Sequence, residues 1–86
     1  MASYSIEIKR SAAKELAALP KQDRGRVITR IQTLADHPRP GSCEKLSGRE
    51  RYRIRQGDYR ILYEIADAVK IVMVVKIGHR RDVYRG

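Results

Sequence analysis

Alternation of apolar and polar side chains is clearest from Arg51 to Tyr63, RYRIRQGDYRILY. It runs on both sides of Gly57-Asp58 and predicts a β-hairpin, with glycine supplying the positive φ that a two-residue hairpin loop demands. In that register Gln56 opposes Tyr59, Arg55 opposes Arg60, Ile54 opposes Ile61, Arg53 opposes Leu62, Tyr52 opposes Tyr63 and Arg51 opposes Glu64. Opposed residues share a face. Tyr52, Ile54, Ile61 and Tyr63 therefore turn toward a core. Arg51, Arg53, Arg55 and Arg60 turn away from it, with only Glu64 to offset them. Like charges facing each other on a strand pair are unfavourable, and a polyanion bound to that face would relieve them.

The remaining periodicities are shorter. Tyr4, Ile6 and Ile8 alternate within Ser3 to Lys9 and predict a half-buried first strand. Ser11 can cap a first helix whose stripe is Ala12, Ala13, Leu16 and Leu19. Pro20 suits the first turn of a second helix, in which Val27, Ile28, Ile31, Leu34 and Ala35 recur at helical spacing. The other face of that helix carries Arg24, Arg26, Arg30 and Asp36, and Gly25 inside it costs about 1 kcal/mol against alanine. From His37 to Gly48 periodicity is lost to prolines and glycines, which predicts a loop that folds over a sheet edge through Leu46. Ala66-Asp67-Ala68 reverses the chain, and Lys70 to Gly78, KIVMVVKIG, reads as a central strand covered on both faces.

The expected fold is α+β, a small single domain spanning residues 1–86. Its order is β-α-α-β-β-β, with a helical hairpin packed on one face of a mostly antiparallel four-stranded sheet and the arginine face left open. There is no repeat or low-complexity tract.

Composition sharpens this picture. With 42% hydrophobic and 34% charged residues the chain is globular rather than disordered. A net charge of +9 and a pI near 10.2 favour an anionic partner: a phosphate backbone first, then an acidic protein or an anionic membrane surface. Cys43 is the single cysteine, so neither an internal disulfide nor a cysteine zinc site is expected. No apolar run approaches a membrane span and no signal peptide is evident, so a cytoplasmic location is expected, with no membrane partner.

Beyond the last strand stand His79, Arg80, Arg81 and Tyr84, expected within reach of the hairpin arginines. Arginines, a histidine and a tyrosine, without a metal-ligand cluster or a serine or cysteine nucleophile motif, suit RNA cleavage by the substrate's own 2′-hydroxyl. Such a site orients that hydroxyl, stabilises a pentacoordinate phosphorane and moves two protons. Arginine stabilises charge and grips phosphate with two parallel hydrogen bonds, but it rarely releases a proton. Histidine is the side-chain type suited to proton transfer near neutrality, which makes His79 the candidate acid or base. Tyr84 can stack on a base or donate a hydrogen bond. No cofactor and no metal are implied.

In the stretch YRIRQGDYRILYEI and the ending KIGHRRDVYR, the chain resembles the RelE-type toxins of bacterial and archaeal toxin–antitoxin pairs, over nearly its whole length. The resemblance implies a ribosome-dependent messenger RNA endonuclease acting on the A-site codon. It also implies restraint by a RelB-type antitoxin in a toxin–antitoxin hetero-oligomer. Arg53 and Arg55 match two basic strand positions that are often lysine in the family, and Arg60 matches the arginine of the GYR-type segment, expected on the scissile phosphate. Arg80 matches a charge-stabilising or leaving-group arginine, and Tyr84 matches a base-stacking tyrosine. Arg51, Arg81 and Arg85 are expected to hold RNA. With arginine at both lysine positions, the lysine base proposed for the family is absent.

Two other readings compete: a ParE-like inhibitor of DNA gyrase, and a non-catalytic basic RNA-binding protein. Tyr52, Tyr59 and Tyr63 are assigned mainly to the core, with Tyr59 able to reach either side, and His37 and Cys43 are read as inert. The basic face of the second helix is a solvated surface by default, although it could also contact ribosomal RNA.

Overall fold

A computed structural model describes residues 3–46 and 50–79 of the chain. The elements are β1 (Ser5–Ile8), α1 (Arg10–Ala17), α2 (Lys21–Thr33), β2 (Glu44–Leu46), β3 (Arg51–Gln56), β4 (Tyr59–Ala66) and β5 (Ile71–His79). They build a five-stranded mixed sheet in the order β1-β5-β4-β3-β2, antiparallel throughout except that β1 runs parallel to β5. The α+β class and the two-helix layer are as expected. The sheet gains a strand because Glu44 to Leu46, assigned to a loop, pairs with β3. Leu46 thus covers the sheet edge as the partner of Arg51.

The central hairpin has the expected register at every pair from Arg51↔Glu64 to Gln56↔Tyr59. Gly57 sits at φ 61° in its turn, where a Cβ would be strained. Tyr52, Ile54, Ile61 and Tyr63 join Ile65, Val72, Val74 and Ile77 in one core, closed by Ala12 and Leu16 of α1 and by Val27, Ile31 and Leu34. Tyr63 is fully buried, stacks on Tyr52 at 5.8 Å between centroids, and donates its hydroxyl to the Pro38 carbonyl at 2.7 Å.

Several helix details differ from the sequence expectation. Helix α1 starts at Arg10 behind Lys9 with no side-chain cap, so Ser11 lies inside its first turn. Pro20 is the N-cap of α2 rather than a helical residue; its fixed φ of −54° directs the chain, and its carbonyl accepts from Arg24 N–H at 2.8 Å. Ile28 is 38% exposed, because only Val27, Ile31 and Leu34 fall on the narrow stripe that meets the sheet. Strand β5 is an interior strand, buried toward the helices through Val72, Val74 and Ile77, but Ile71, Met73 and Val75 are only half-covered.

Where β1 ends, α1 takes over the edge of β5. The Ile77 N–H donates to Glu15 Oε1 at 3.0 Å, and Lys76 Nζ lies 3.6 Å from Glu15 Oε2. An N–H of β5 that a longer β1 would otherwise satisfy is met by a side chain.

At the other end of the sheet, Arg39 gathers three segments. Its guanidinium donates to both carboxylate oxygens of Asp67, at 3.2 and 2.7 Å, and to the Tyr52 hydroxyl at 3.0 Å. Tyr4 donates to the same Asp67 carboxylate at 2.7 Å, and Tyr52 donates to Glu50 at 2.8 Å. The Arg39 and Tyr4 bonds hold the Asp67 carboxyl down to about 2, from an ordinary value of 3.8.

Candidate nucleic-acid interface

Register sorts the side chains of the open face into rows that cross the strands. The first row runs Glu7, Met73, Glu64, Arg51, Leu46; the next holds Leu62, Arg53 and Glu44; the last, beside the hairpin turn, holds Gly78, Arg60 and Arg55. Charge compensation falls along this series. Arg51 donates through Nε and Nη2 to Glu64 Oε2, at 3.1 and 2.7 Å. Arg53 donates to Glu44 Oε2 at 2.7 Å, a pairing that the loop assignment of Glu44 had concealed. In the last row Arg55 is exposed and Arg60 is buried at 5% exposure, and neither forms an ion pair among the described residues.

Arg60 is the anomaly of the face. It is the only buried charged residue among those described, and its Nε has no hydrogen-bond acceptor. Gly78, its partner on β5, offers no side chain to compete for the space. Burying a guanidinium without a counter-charge is costly, and an incoming anion recovers that cost in charge-assisted hydrogen bonds. Arg55 directly opposite supplies a second, solvent-facing cation.

His79 does not join these arginines. A β-bulge in β5, where Leu62 pairs with Lys76 but Tyr63 pairs with Val74, inserts Val75 and reverses the alternation beyond it. Ile77 and His79 consequently turn to the helix side, where strict alternation from Val72 and Val74 would have kept Gly78. The His79 ring meets Tyr59 edge to face, 6.0 Å between centroids. Tyr59 is also committed to the helix side: its hydroxyl lies 3.4 Å from Asp23 Oδ2 of α2, and burial, followed by the Asp23 charge, raises its pKa above the usual tyrosine value.

The structure thus brings Arg51, Arg53, Arg55 and Arg60 onto one face and places His79 on the other. Arg80, Arg81, Tyr84 and Arg85 lie outside the described residues. Among the described residues no cluster of His, Cys, Asp or Glu has the makings of a metal site. Glu44 is the feature that sequence reasoning missed; the signal was its placement nine residues before Arg53, legible only once the two strands are known to pair.

A pair of helices on one side of a mixed sheet is the architecture of the RelE toxins of known structure. The chain belongs to the ParE toxin family of type II toxin–antitoxin systems, whose family model matches residues 6–84, and within it is a RelE-like toxin. Toxin RelG of Mycobacterium tuberculosis is 29% identical over 84 residues, covering 95% of this chain and 97% of that one. The toxin–antitoxin complex RelBE2 of the same organism contains a chain that superposes with a TM-score of 0.81 at 25% identity, covering 91% of this chain and 99% of that one. The archaeal RelE–RelB complex of Pyrococcus horikoshii contains one with a TM-score of 0.78 at 27% identity, covering 91% and 96%.

Proposed function

We propose that this toxin is a ribosome-dependent endoribonuclease that cuts messenger RNA in the A site and thereby stops translation in the cytoplasm. The carrying observation is the Arg60–Arg55 row, a buried guanidinium with an unused Nε facing an exposed one. That pair suits a dianionic phosphorane better than a ground-state phosphodiester, because the charge it meets grows in the transition state. In the reaction the substrate's 2′-oxygen bonds to phosphorus as the bond to the 5′-oxygen breaks, leaving a cyclic phosphate. One proton leaves the 2′-hydroxyl and one reaches the departing oxygen.

Arg60 and Arg55 hold the phosphoryl oxygens in this reading, with Arg53 beside them and Arg51 farther along the strand. His79 remains the candidate for proton transfer by residue type; its ring lies against Tyr59 on the helix side, so that role requires the RNA to pass around the end of β5. Arg80 and Tyr84 are assigned charge stabilisation and base stacking by resemblance, and Arg81 and Arg85 RNA contacts. The restraining partner is a RelB-type antitoxin in a hetero-oligomer, supported by the solved toxin–antitoxin complexes of the relatives.

The test is purified protein added to ribosomes programmed with a defined messenger, cleavage being mapped by primer extension, with naked RNA in parallel. Cuts confined to the A-site codon and to the ribosomal sample support the proposal; none in either sample sinks it. The match to a ParE family model favours one other reading, inhibition of DNA gyrase, and a supercoiling assay with the same protein decides that case.

A further inference from the structure

A second basic surface lies on the other side of the sheet. Helix α2 and the end of β3 enclose an open groove of about 850 Å³. Two adjacent rows of α2, each at four-residue spacing, line it: one carries Arg26 and Arg30, the other Gly25, Thr29 and Thr33, with Lys21 at the helix start. Among the described residues no carboxylate lines the groove and no aromatic ring does. Lys21 and Arg26 are exposed and carry no ion pair among the described residues, while Arg30 Nη2 is held by Ser42 Oγ at 2.6 Å.

Gly25 is the informative residue. It lies inside a 13-residue helix, where glycine is less stable than alanine, yet a Cβ built on it meets nothing within 4 Å. Nothing inside the protein requires glycine there. A bare backbone on the floor of a basic groove is what close approach of an outside molecule requires.

We propose that this groove seats the phosphate backbone of base-paired RNA, so that the toxin grips structured RNA with α2 while its open face works on a single strand. The cations sit on a helical rod of about 20 Å, and the described residues of the groove offer no aromatic platform for stacking splayed bases, the usual grip on single strands. The threonine hydroxyls favour RNA over DNA. Thr29 donates to the Gly25 carbonyl at 3.0 Å and Thr33 to the Arg30 carbonyl at 2.6 Å, so their oxygens keep lone pairs that can accept only from a donor such as a 2′-hydroxyl. Gln56, at the turn end of β3, adds an amide. Beyond the Glu44↔Arg53 pair this end of β3 is paired with β4 alone and forms an edge of the sheet on its other side, among the described residues, and Arg55, next to Gln56, faces the opposite side. The two basic surfaces meet along that edge. The proposal rests on the function given above only for its division of labour between paired and unpaired RNA.

The experiment measures binding of the full chain to an RNA hairpin, to an unstructured RNA of the same composition and to the matching DNA duplex, over a range of salt. The hairpin is expected to bind most tightly. Arg26→Gln and Arg30→Gln should each flatten the slope of log affinity against log salt by about 1. Gly25→Ala should raise the melting temperature yet weaken hairpin binding, an opposition that a purely structural role for Gly25 would not produce. Lys14→Gln, on α1 and outside both basic surfaces, should leave hairpin binding unchanged. Preference for the single strand or for DNA, or groove variants that bind like the unmodified protein, would overturn the proposal. Codon cleavage by the same preparations is scored separately, so loss of the nuclease reading and loss of the groove are distinguishable results.

Discussion

Arg55 and Arg60 face each other across β3 and β4, yet one is exposed and the other is 5% exposed with an unpartnered Nε. The neighbouring arginines, Arg51 and Arg53, are neutralised by Glu64 and Glu44 at 2.7 Å each. The face is therefore not a uniform basic surface. It has one row in which positive charge is left uncompensated among the described residues, and that row lies at the end of β5.

Arg60→Met is expected to raise stability by about 1–2 kcal/mol, since it removes a buried charged group lacking an acceptor while keeping a long unbranched side chain. The same change should abolish A-site cleavage and growth arrest. Urea unfolding together with the ribosome assay checks both. A destabilised but active variant would mean that Arg60 is structural.

Asp67→Asn should remove an acid-sensitive part of the stability. The folded Asp67 carboxyl is held at about 2 against 3.8 when free, so the unfolded chain takes up its proton first. The contribution is fully present above about pH 4 and is lost as pH falls toward 2. Denaturation midpoints measured from pH 6 downward should fall less steeply in the variant than in the unmodified protein.

Tyr63→Phe tests the opposite end of the scale. Burial raises the Tyr63 hydroxyl well above its ordinary value of 10.0, so the unfolded state ionises first as pH climbs. Stability is retained below pH 10 and lost above it. Phenylalanine should flatten that alkaline loss, while costing about 1 kcal/mol at neutral pH for the missing bond to the Pro38 carbonyl.

Gly57→Ala places a Cβ at φ 61° and should cost about 1–2 kcal/mol. Because the same turn aligns Arg55 with Arg60, the loss of cleavage should exceed what the unfolded fraction accounts for. Equal losses in a thermal melt and in specific activity would show that the turn matters for folding alone.

Much of this molecule was written locally. Strict alternation around Gly57 specified the hairpin register and the two faces of β3 and β4, since a one-residue slip would have turned Tyr52, Ile54, Ile61 and Tyr63 out to water. Helical spacing likewise marked Val27, Ile28, Ile31, Leu34 and Ala35, of which Val27, Ile31 and Leu34 are in the core while Ile28 is exposed. The motifs at the hairpin and in the tail carried the family resemblance. Other features depended on contacts between distant segments, which local pattern does not encode. Glu44 to Leu46 is too short to announce itself as a strand and exists as one only against the edge of β3, where Glu44 finds Arg53. The bulge at Val75 is a mismatch between β5 and β4, and it alone turns His79 toward Tyr59 and sets Gly78 opposite Arg60. Burial of Arg60 beside exposed Arg55 is likewise a property of the folded chain that strand pattern does not encode. Both are arginines on strands, and only the three-dimensional surroundings make one of them a desolvated charge in need of an anion.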